Sequence, residues 1–348
     1  MKILYDHQIF ELQRYGGISR YFQELINHSE GLFDTEISGV FFNNEYLKSN
    51  LKPKRIYFQS IEKRNNKDSL KKIKNADYSV LHSTYYDTYY LRKIHKPFVV
   101  TIHDMIPEIF LRYFYNNVEL IRNKRILMEK AAQIIAVSHH TRNDILRIYP
   151  EIPAEKITVI HHGQSFAVSE SITEKKNYIL YVGVRRFYKN FVRFIKAVSD
   201  ILLKYDLHLI CTGSPFDEDE TALIEKFNIK NRVESKFVSE EELKKLYEEA
   251  LCFVFPSLYE GFGIPVLEAF SQNCPCLLSS ASCFPEIGEN AAEYFDPNSI
   301  DSMRNAIEKV IHSESLQKDM IAKGKEVLKK YSWRKSAEQH SEVYKSII

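Results

Sequence analysis

No stretch of this sequence approaches 18 consecutive apolar residues, and the opening MKILYDHQIF places Asp6 directly behind Ile3, Leu4 and Tyr5. Neither a membrane-spanning helix nor a secretory leader is therefore expected, and the chain is expected to be cytoplasmic. Cysteines are few and odd in number. The five (Cys211, Cys252, Cys274, Cys276 and Cys283) fit no paired Cys-x-x-Cys spacing, which argues for reduced thiols and against a disulfide framework or a zinc site. An excess of one charge is also missing: 48 basic side chains meet 46 acidic ones, so nothing global points to a nucleic-acid partner. Gly-x-Gly-x-x-Gly is absent between strand and helix, as is a Walker lysine loop, which removes the usual dinucleotide and P-loop fingerprints. With 11 Gly, 11 Pro and 44% hydrophobic residues, the chain is neither collagen-like nor disordered.

What is present is a repeated alternation. Apolar runs (Ile3 to Tyr5, Ile37 to Phe42, Val80 and Leu81, Phe98 to Ile102, Ile134 to Val137) alternate with amphipathic segments (Ile18 to Asn27, Val118 to Ala132, Thr141 to Tyr149). The pattern restarts after residue 175 with Tyr178 to Val182, Leu207 to Cys211, Cys252 to Phe255 and Cys276 to Leu278 as strands. Such β/α alternation predicts doubly wound parallel sheets, and 348 residues exceed what one core usually serves, so two Rossmann-like domains are expected. Residues 163 to 176, polar and without period, read as the linker between them. The end of the chain, WRKSAEQHSEVYKSII, carries Trp333, Ala337, His340, Val343 and Tyr344 near a 3.6 period and predicts a terminal helix that docks. Ligands of doubly wound sheets sit beyond the carboxyl ends of strands, and two such edges across a cleft would enclose a nucleotide well.

The most informative stretch is residues 252 to 297. Pro265 suits the first helical position, so backbone donors at Val266 and Leu267 would face an anion, while Gly261 and Gly263 let a ligand approach the main chain. Glu260 and Glu268 bracket this turn. Carboxylates are poor partners for a phosphate and good acceptors for hydroxyls, so polyol recognition is the chemical reading.

The spacing Glu260, seven residues, Glu268, with Gly261-Phe262-Gly263-Ile264-Pro265 between, followed by Ser-Cys-Phe-Pro-Glu and Ala-Ala-Glu-Tyr-Phe-Asp-Pro, resembles the retaining GT-B glycosyltransferases of family four, the group one enzymes. Tyr181-Val-Gly-Val-Arg-Arg-Phe-Tyr-Lys-Asn190 resembles their other donor-side element. The resemblance implies an α/β GT-B fold: two Rossmann-like doubly wound domains facing across a cleft, with the C-terminal helix crossing back to the N-terminal domain. Residues 1–165 plus 332–348 would bind the acceptor and 166–331 the nucleotide-sugar donor. It implies Lys189 and Arg185 or Arg186 on the donor diphosphate, with Val184 interrupting the usual Gly-Arg order. It implies Glu268 on the ribose, Glu260 on the donor sugar, and base-holding loops at Gly213 and Val238. In the N-terminal half Gly16-Gly17 resembles a loop near the donor phosphates, and His103 the histidine beside the transferred sugar.

The expected activity is transfer of a hexose or deoxyhexose from a nucleotide-diphosphate sugar to a glycan or lipid-linked acceptor, with retention, in cell-surface polysaccharide or glycoconjugate assembly. The rivals are a nucleotide-sugar epimerase of the same architecture and a silent carbohydrate-binding homologue. No cofactor is expected, and no metal: Asp217-Glu-Asp219-Glu sits in a polar turn before a helix, where acids serve the helix dipole. Ser138 reads first as a helix N-cap. The tyrosines at 85, 86, 89 and 90 would stack on sugars or cover apolar surface. Residues 48 to 74 hold ten basic side chains against Glu62 and Asp68, interleaved with Ile56, Tyr57, Phe58 and Ile61. That composition is read either as a solvated loop or as a reversible contact with an anionic membrane surface.

Overall fold

The computed structural model describes residues 1–47, 58–170 and 173–348. Two units form: Met1–Gly163 with Ser332–Ile348, and Gln164–Tyr331. In the first, β1 (Lys2–Tyr5), α1 (Gln8–Leu12), α2 (Gly17–Asn27), β2 (Asp34–Ile37), α3 (Phe58–Asn75), β3 (Val80–Ser83) and β4 (Phe98–Ile102) come in chain order. They are followed by α4 (Ile106–Ile109), α5 (Val118–Lys130), β5 (Gln133–Ala136), α6 (His139–Ile148) and β6 (Ile157–Val159). All pairings are parallel, in the order β2-β1-β3-β4-β5-β6. A continuous Phe-Val-Val-Thr-Ile run makes β4 a strand buried at every position, as a parallel strand covered on both faces must be.

The second unit contains β7 (Lys176–Tyr181), α7 (Phe191–Lys204), β8 (His208–Thr212), α8 (Glu218–Lys226), β9 (Val233–Lys236), α9 (Glu240–Glu249) and β10 (Ala250–Phe255). Then come α10 (Ile264–Ser271), β11 (Cys276–Ser279), α11 (Phe284–Gly288), β12 (Ala292–Phe295), α12 (Ile300–Ile311) and α13 (Glu314–Leu328). Its sheet, also parallel, has the order β12-β11-β10-β7-β8-β9. The winding direction thus reverses between β1 and β3 in one unit and between β7 and β10 in the other. Just beyond the carboxyl ends of those strand pairs, side chains from separate loops can converge.

The last helix, α14 (Trp333–Lys345), belongs to the first unit. Its Trp333, Ala337, Val343 and Tyr344 join the core around β1, β3 and β4, each large apolar side chain contributing roughly 1.5–3 kcal/mol by burial. Gly163 makes this docking feasible, since a Cβ there would lie 2.1 Å from the Trp333 backbone nitrogen.

Three expectations need revision. The apolar run after Ile37 leaves the sheet: Asn65 of α3 accepts from the N–H groups of Val40 (2.8 Å) and Phe41 (3.0 Å), replacing the ladder bonds a strand would need. The expected linker is strapped onto the second unit, because Phe166 is buried beneath Lys244 and Ser169 N–H donates to Ser271 O at 2.7 Å; a single aromatic anchor in a polar run hid this. From Phe58 onward the basic segment is the packed helix α3, with Asn65, Ser69 and Ile73 buried, and not a solvated loop. Lys48, Lys52, Lys54, Arg55, Ile56 and Tyr57 lie outside the described residues. All five cysteines are unpaired and buried.

Candidate active site

In the second unit the loops after β7 and β10 are tied together at the reversal point. Leu258 N–H donates to Tyr188 O at 2.7 Å, and the Asn190 amide donates to Pro256 O (3.0 Å) and Pro297 O (2.7 Å). Asn190 can do this while starting α7 because it adopts a left-handed conformation, φ +60°, which asparagine tolerates. These ties bring Lys189 Nζ to 2.7 Å from Glu260 Oε1, with both side chains mostly buried. Ser282 clasps the Glu260 backbone from the other side, accepting from its N–H at 3.0 Å and donating to its carbonyl at 2.5 Å.

Gly261, Phe262 and Gly263 are buried. Gly263 N-caps α10 at φ +88°, a conformation that requires glycine there. Ile264 is the first helical residue and Pro265 the second, one place later than the sequence suggests. One of the two expected backbone donors, that of Val266, needs correction as well. Val266 N–H already donates to Gly263 O at 2.9 Å, and Val266 and Leu267 are fully buried, because α10 tightens in its first turn. Glu268 is buried too, accepting from the Tyr247 hydroxyl at 3.3 Å, so it is no exposed acidic helix start.

Arg185 and Arg186 part company. Arg185 pairs with Glu220 at 2.9 Å, donates to Ser214 O and Pro215 O, and stacks over Phe216. Arg186 is exposed. Both line a cavity of about 440 Å³ with Asn190, Arg193 and Lys196. Gly213 follows β8, its N–H held by Lys236 O, and Val238 is half-buried just ahead of α9. The acidic run at 217 is engaged in a capping box: Asp217 accepts from Glu220 N–H, and Glu220 accepts from Asp217 N–H.

In the first unit His103 directly follows β4. Its N–H donates to the Tyr86 hydroxyl at 3.2 Å, its ring meets Tyr21 edge-on at 5.0 Å, and Nε2 is buried with no hydrogen-bond partner among the described residues. Burial, with Lys124 nearby, pushes its pKa down to about 3, so the imidazole is neutral at neutral pH. Beneath it runs a buried chain that sequence reasoning missed. Tyr21 Oη meets His340 Nε2 at 2.6 Å and Thr101 Oγ1 at 3.1 Å, Thr101 meets His82 Nε2 at 2.8 Å, and His82 Nδ1 meets Tyr344 Oη at 2.7 Å. Only the 3.6 period that predicted α14 hinted at its inward-facing His340. Lys124 holds the His103-Asp104 corner, donating to Asp104 O and pairing with Glu108, each at 2.9 Å. Gly16 and Gly17 lie at the α2 N-terminus, separated from β1 by α1, and Gln13 Oε1 already accepts from Ser19 N–H there. Ser138 caps α6, accepting from Thr141 N–H at 3.0 Å.

Family models match both units in turn: "Glycosyltransferase Family 4" over residues 15–165 and "Glycosyl transferases group 1" over 164–327. The chain is 30% identical over 212 residues to the O-antigen chain mannosyltransferase RfbU of Salmonella typhimurium, and 28% identical over 235 residues to O-antigen chain mannosyltransferase B of Escherichia coli. Those alignments cover 61% and 63% of this chain and only 60% and 61% of the two relatives. Among solved structures it resembles the sucrose-phosphate synthase of Thermosynechococcus elongatus (TM-score 0.78, 17% identity, 99% of this chain and 98% of that one). It also resembles Anabaena HepE, solved with UDP and glucose (TM-score 0.76, 14% identity, 99% and 100%). The structural likeness fixes the two-domain α/β architecture as GT-B. With both family models matched in chain order, the chain belongs to the group 1 glycosyltransferases of family 4.

Proposed function

We propose that the protein transfers a hexose from a nucleotide-diphosphate sugar to an acceptor hydroxyl, with retention and without a metal ion, in cell-surface polysaccharide assembly. The reading rests above all on the Lys189–Glu260 pair at 2.7 Å, beside a left-handed glycine turn and at the point where the sheet's winding reverses. A bound diphosphate would take over Lys189, freeing the Glu260 carboxylate to accept hydrogen bonds from donor-sugar hydroxyls. Glu268 would receive the ribose hydroxyls. As the glycosidic bond breaks, charge grows on the diphosphate, and a preorganised cation there contributes about 2.7–4 kcal/mol to the transition state. The departing phosphate can itself take the acceptor proton, so no protein nucleophile is invoked. Neutral His103, with an unpartnered Nε2, suits a hydrogen-bond acceptor for a sugar hydroxyl. Arg186, exposed where Arg185 is engaged, is the arginine assigned to the phosphates.

The relatives' names make mannose the first sugar to test. A thermal-shift panel of UDP, GDP, ADP and dTDP sugars should single out one base, since ligand at about 100 times its Kd adds about 2.7 kcal/mol of apparent stability. Turnover should persist in excess EDTA; loss on chelation, restored by Mg²⁺ or Mn²⁺, would overturn metal independence. No helix among the described residues is long and apolar enough to cross a membrane. Reversible attachment to an anionic membrane surface is proposed through Lys63, Arg64, Lys67 and Lys71, all exposed on α3. Sedimentation with anionic liposomes should decline as salt rises, and equal sedimentation with neutral vesicles would remove the proposal.

A further inference from the structure

A cavity of about 470 Å³ opens in the first unit beyond the carboxyl ends of β1 and β3, where the winding of that sheet reverses. Its volume falls within the usual range of ligand sites, about 300–1,000 Å³. Four carboxylates line it, Glu11, Glu62, Asp87 and Glu119, and among the described residues no lysine or arginine does. The amides of Asn66, Asn116, Asn117 and Asn123 line it as well. One wall is aromatic: Tyr85 and Tyr86 stack with centroids 4.7 Å apart.

Much of this wall is already held in place. Gln8 accepts from Asp87 N–H at 2.8 Å and donates to Asp87 O, while the buried Glu11 accepts from Asn65 at 2.8 Å. His7 is pinned through Ser69 at 2.9 Å, and Ser69 in turn meets Ser38 at 2.6 Å. A preformed pocket that joins an aromatic face to many hydrogen-bonding groups suits a pyranose, apolar across its C–H face and polar at its edge. Its charge narrows the choice. Ionised carboxylates only accept hydrogen bonds, so the ligand must bring donors, hydroxyl or ammonium. A uronate or a sugar phosphate would bring acceptors and like charge, which an acidic lining disfavours.

Resting on the assignment of this unit to the acceptor, we propose that the cavity is a glycan site selecting hydroxyl-rich or amine-bearing sugar residues and rejecting anionic ones, with Glu62, Asp87 and Glu119 as the discriminating groups. The full chain can be titrated, with saturation-transfer NMR as readout, against methyl α-mannopyranoside, methyl α-glucosaminide and methyl α-glucuronide. The first two should bind at least tenfold more tightly than the glucuronide. Exchanging the exposed pair in Glu62→Lys/Glu119→Lys should erase or invert that preference, and Tyr85→Ala should weaken all three while nucleoside diphosphate binding is retained. Equal binding of the glucuronide, a preference unchanged in the double lysine variant, or no binding by any of the three overturns the proposal. Failure of the transferase reading shows separately, as absence of both nucleoside diphosphate binding and donor hydrolysis with water as acceptor.

Discussion

The two units carry six parallel strands each, yet they differ in strand order and in what they bury. The core of the second unit is built from aliphatic and aromatic side chains of β7, β8, β10, α7 and α12, and two mostly buried ion pairs, Arg185–Glu220 and Lys189–Glu260, sit beyond the carboxyl ends of its strands. Inside the first unit lie His82, His103, His162 and His340, with Tyr5, Tyr21 and Tyr344 threaded between them and a buried Lys124–Glu108 pair alongside. One interior is held mainly by burial, which is non-directional; the other also depends on hydrogen bonds whose groups are costly to leave unmet. The difference teaches that the first unit should respond to charge and pH where the second responds chiefly to loss of volume.

The largest expected effect comes from the buried ion pair. Lys124→Met strands the Glu108 carboxylate, which already has one oxygen without a partner, and should cost the first unit about 3–5 kcal/mol. Trp333, the sole tryptophan, lies in that unit, so urea unfolding followed by its fluorescence reads the loss directly. The double change Lys124→Met/Glu108→Leu should recover most of it; no recovery would mean that packing, not charge, holds the His103 corner.

Next in size is Lys189→Ala in the second unit. Turnover should fall about 10²–10³-fold with far less change in nucleoside diphosphate affinity, because the cation acts on charge that develops in the transition state. Steady-state kinetics beside calorimetry separates the two, and an active variant would remove Lys189 from the chemistry.

Acid should divide the units. Burial holds His7 and His340 down at about 4 and His103 at about 3, with His82 and His162 well below their ordinary 6.5. Each binds its proton less readily folded than unfolded, so the stability they confer is full above pH 6.5 and is lost as the pH falls toward 4. Asp6, raised by burial to about 6, and Glu11 and Glu108, also raised by burial, run the opposite way. Five imidazoles outnumber three carboxyls, so the net slope is a loss, with each uncompensated proton worth about 1.4 kcal/mol per pH unit. The second unit's histidines, His208 and His312, are exposed. Hydrogen exchange at pH 7 and pH 5 should therefore show protection dropping in β3 and β4 before β10, and a simultaneous drop would erase the contrast.

The smallest effect should be at the α8 cap. Asp217→Ala removes half of the capping box and should lower stability by about 1 kcal/mol, read by thermal melting, with turnover in EDTA unaffected.

Much of the architecture could be read from residue pattern. Continuous runs of aromatic and β-branched residues such as Phe98 to Ile102 became buried strands, the restart after residue 175 became the second sheet, and Ser138 took the cap its position before a helical period predicted. These signals are local, so they survive without knowledge of what packs against them. The start of α10 was legible to within one residue for the same reason, since proline suits the first turn of a helix whatever packs against it.

Strand order was not legible, because alternation is identical for β2-β1-β3 and for β10-β7-β8. Nor were the long-range partners. Lys189 meets Glu260 across 71 positions and Tyr21 meets His340 across 319, and no period in the intervening chain records either contact. Which of two adjacent arginines is engaged depended on Glu220 of α8 being carried beneath Arg185, leaving Arg186 in solvent. Sequence determined which segments form elements and which faces they bury, since that follows from local propensity and the hydrophobic pattern. Tertiary structure decided which loops share a sheet edge, and hence which charges meet, since that follows only from how the whole chain closes its two cores.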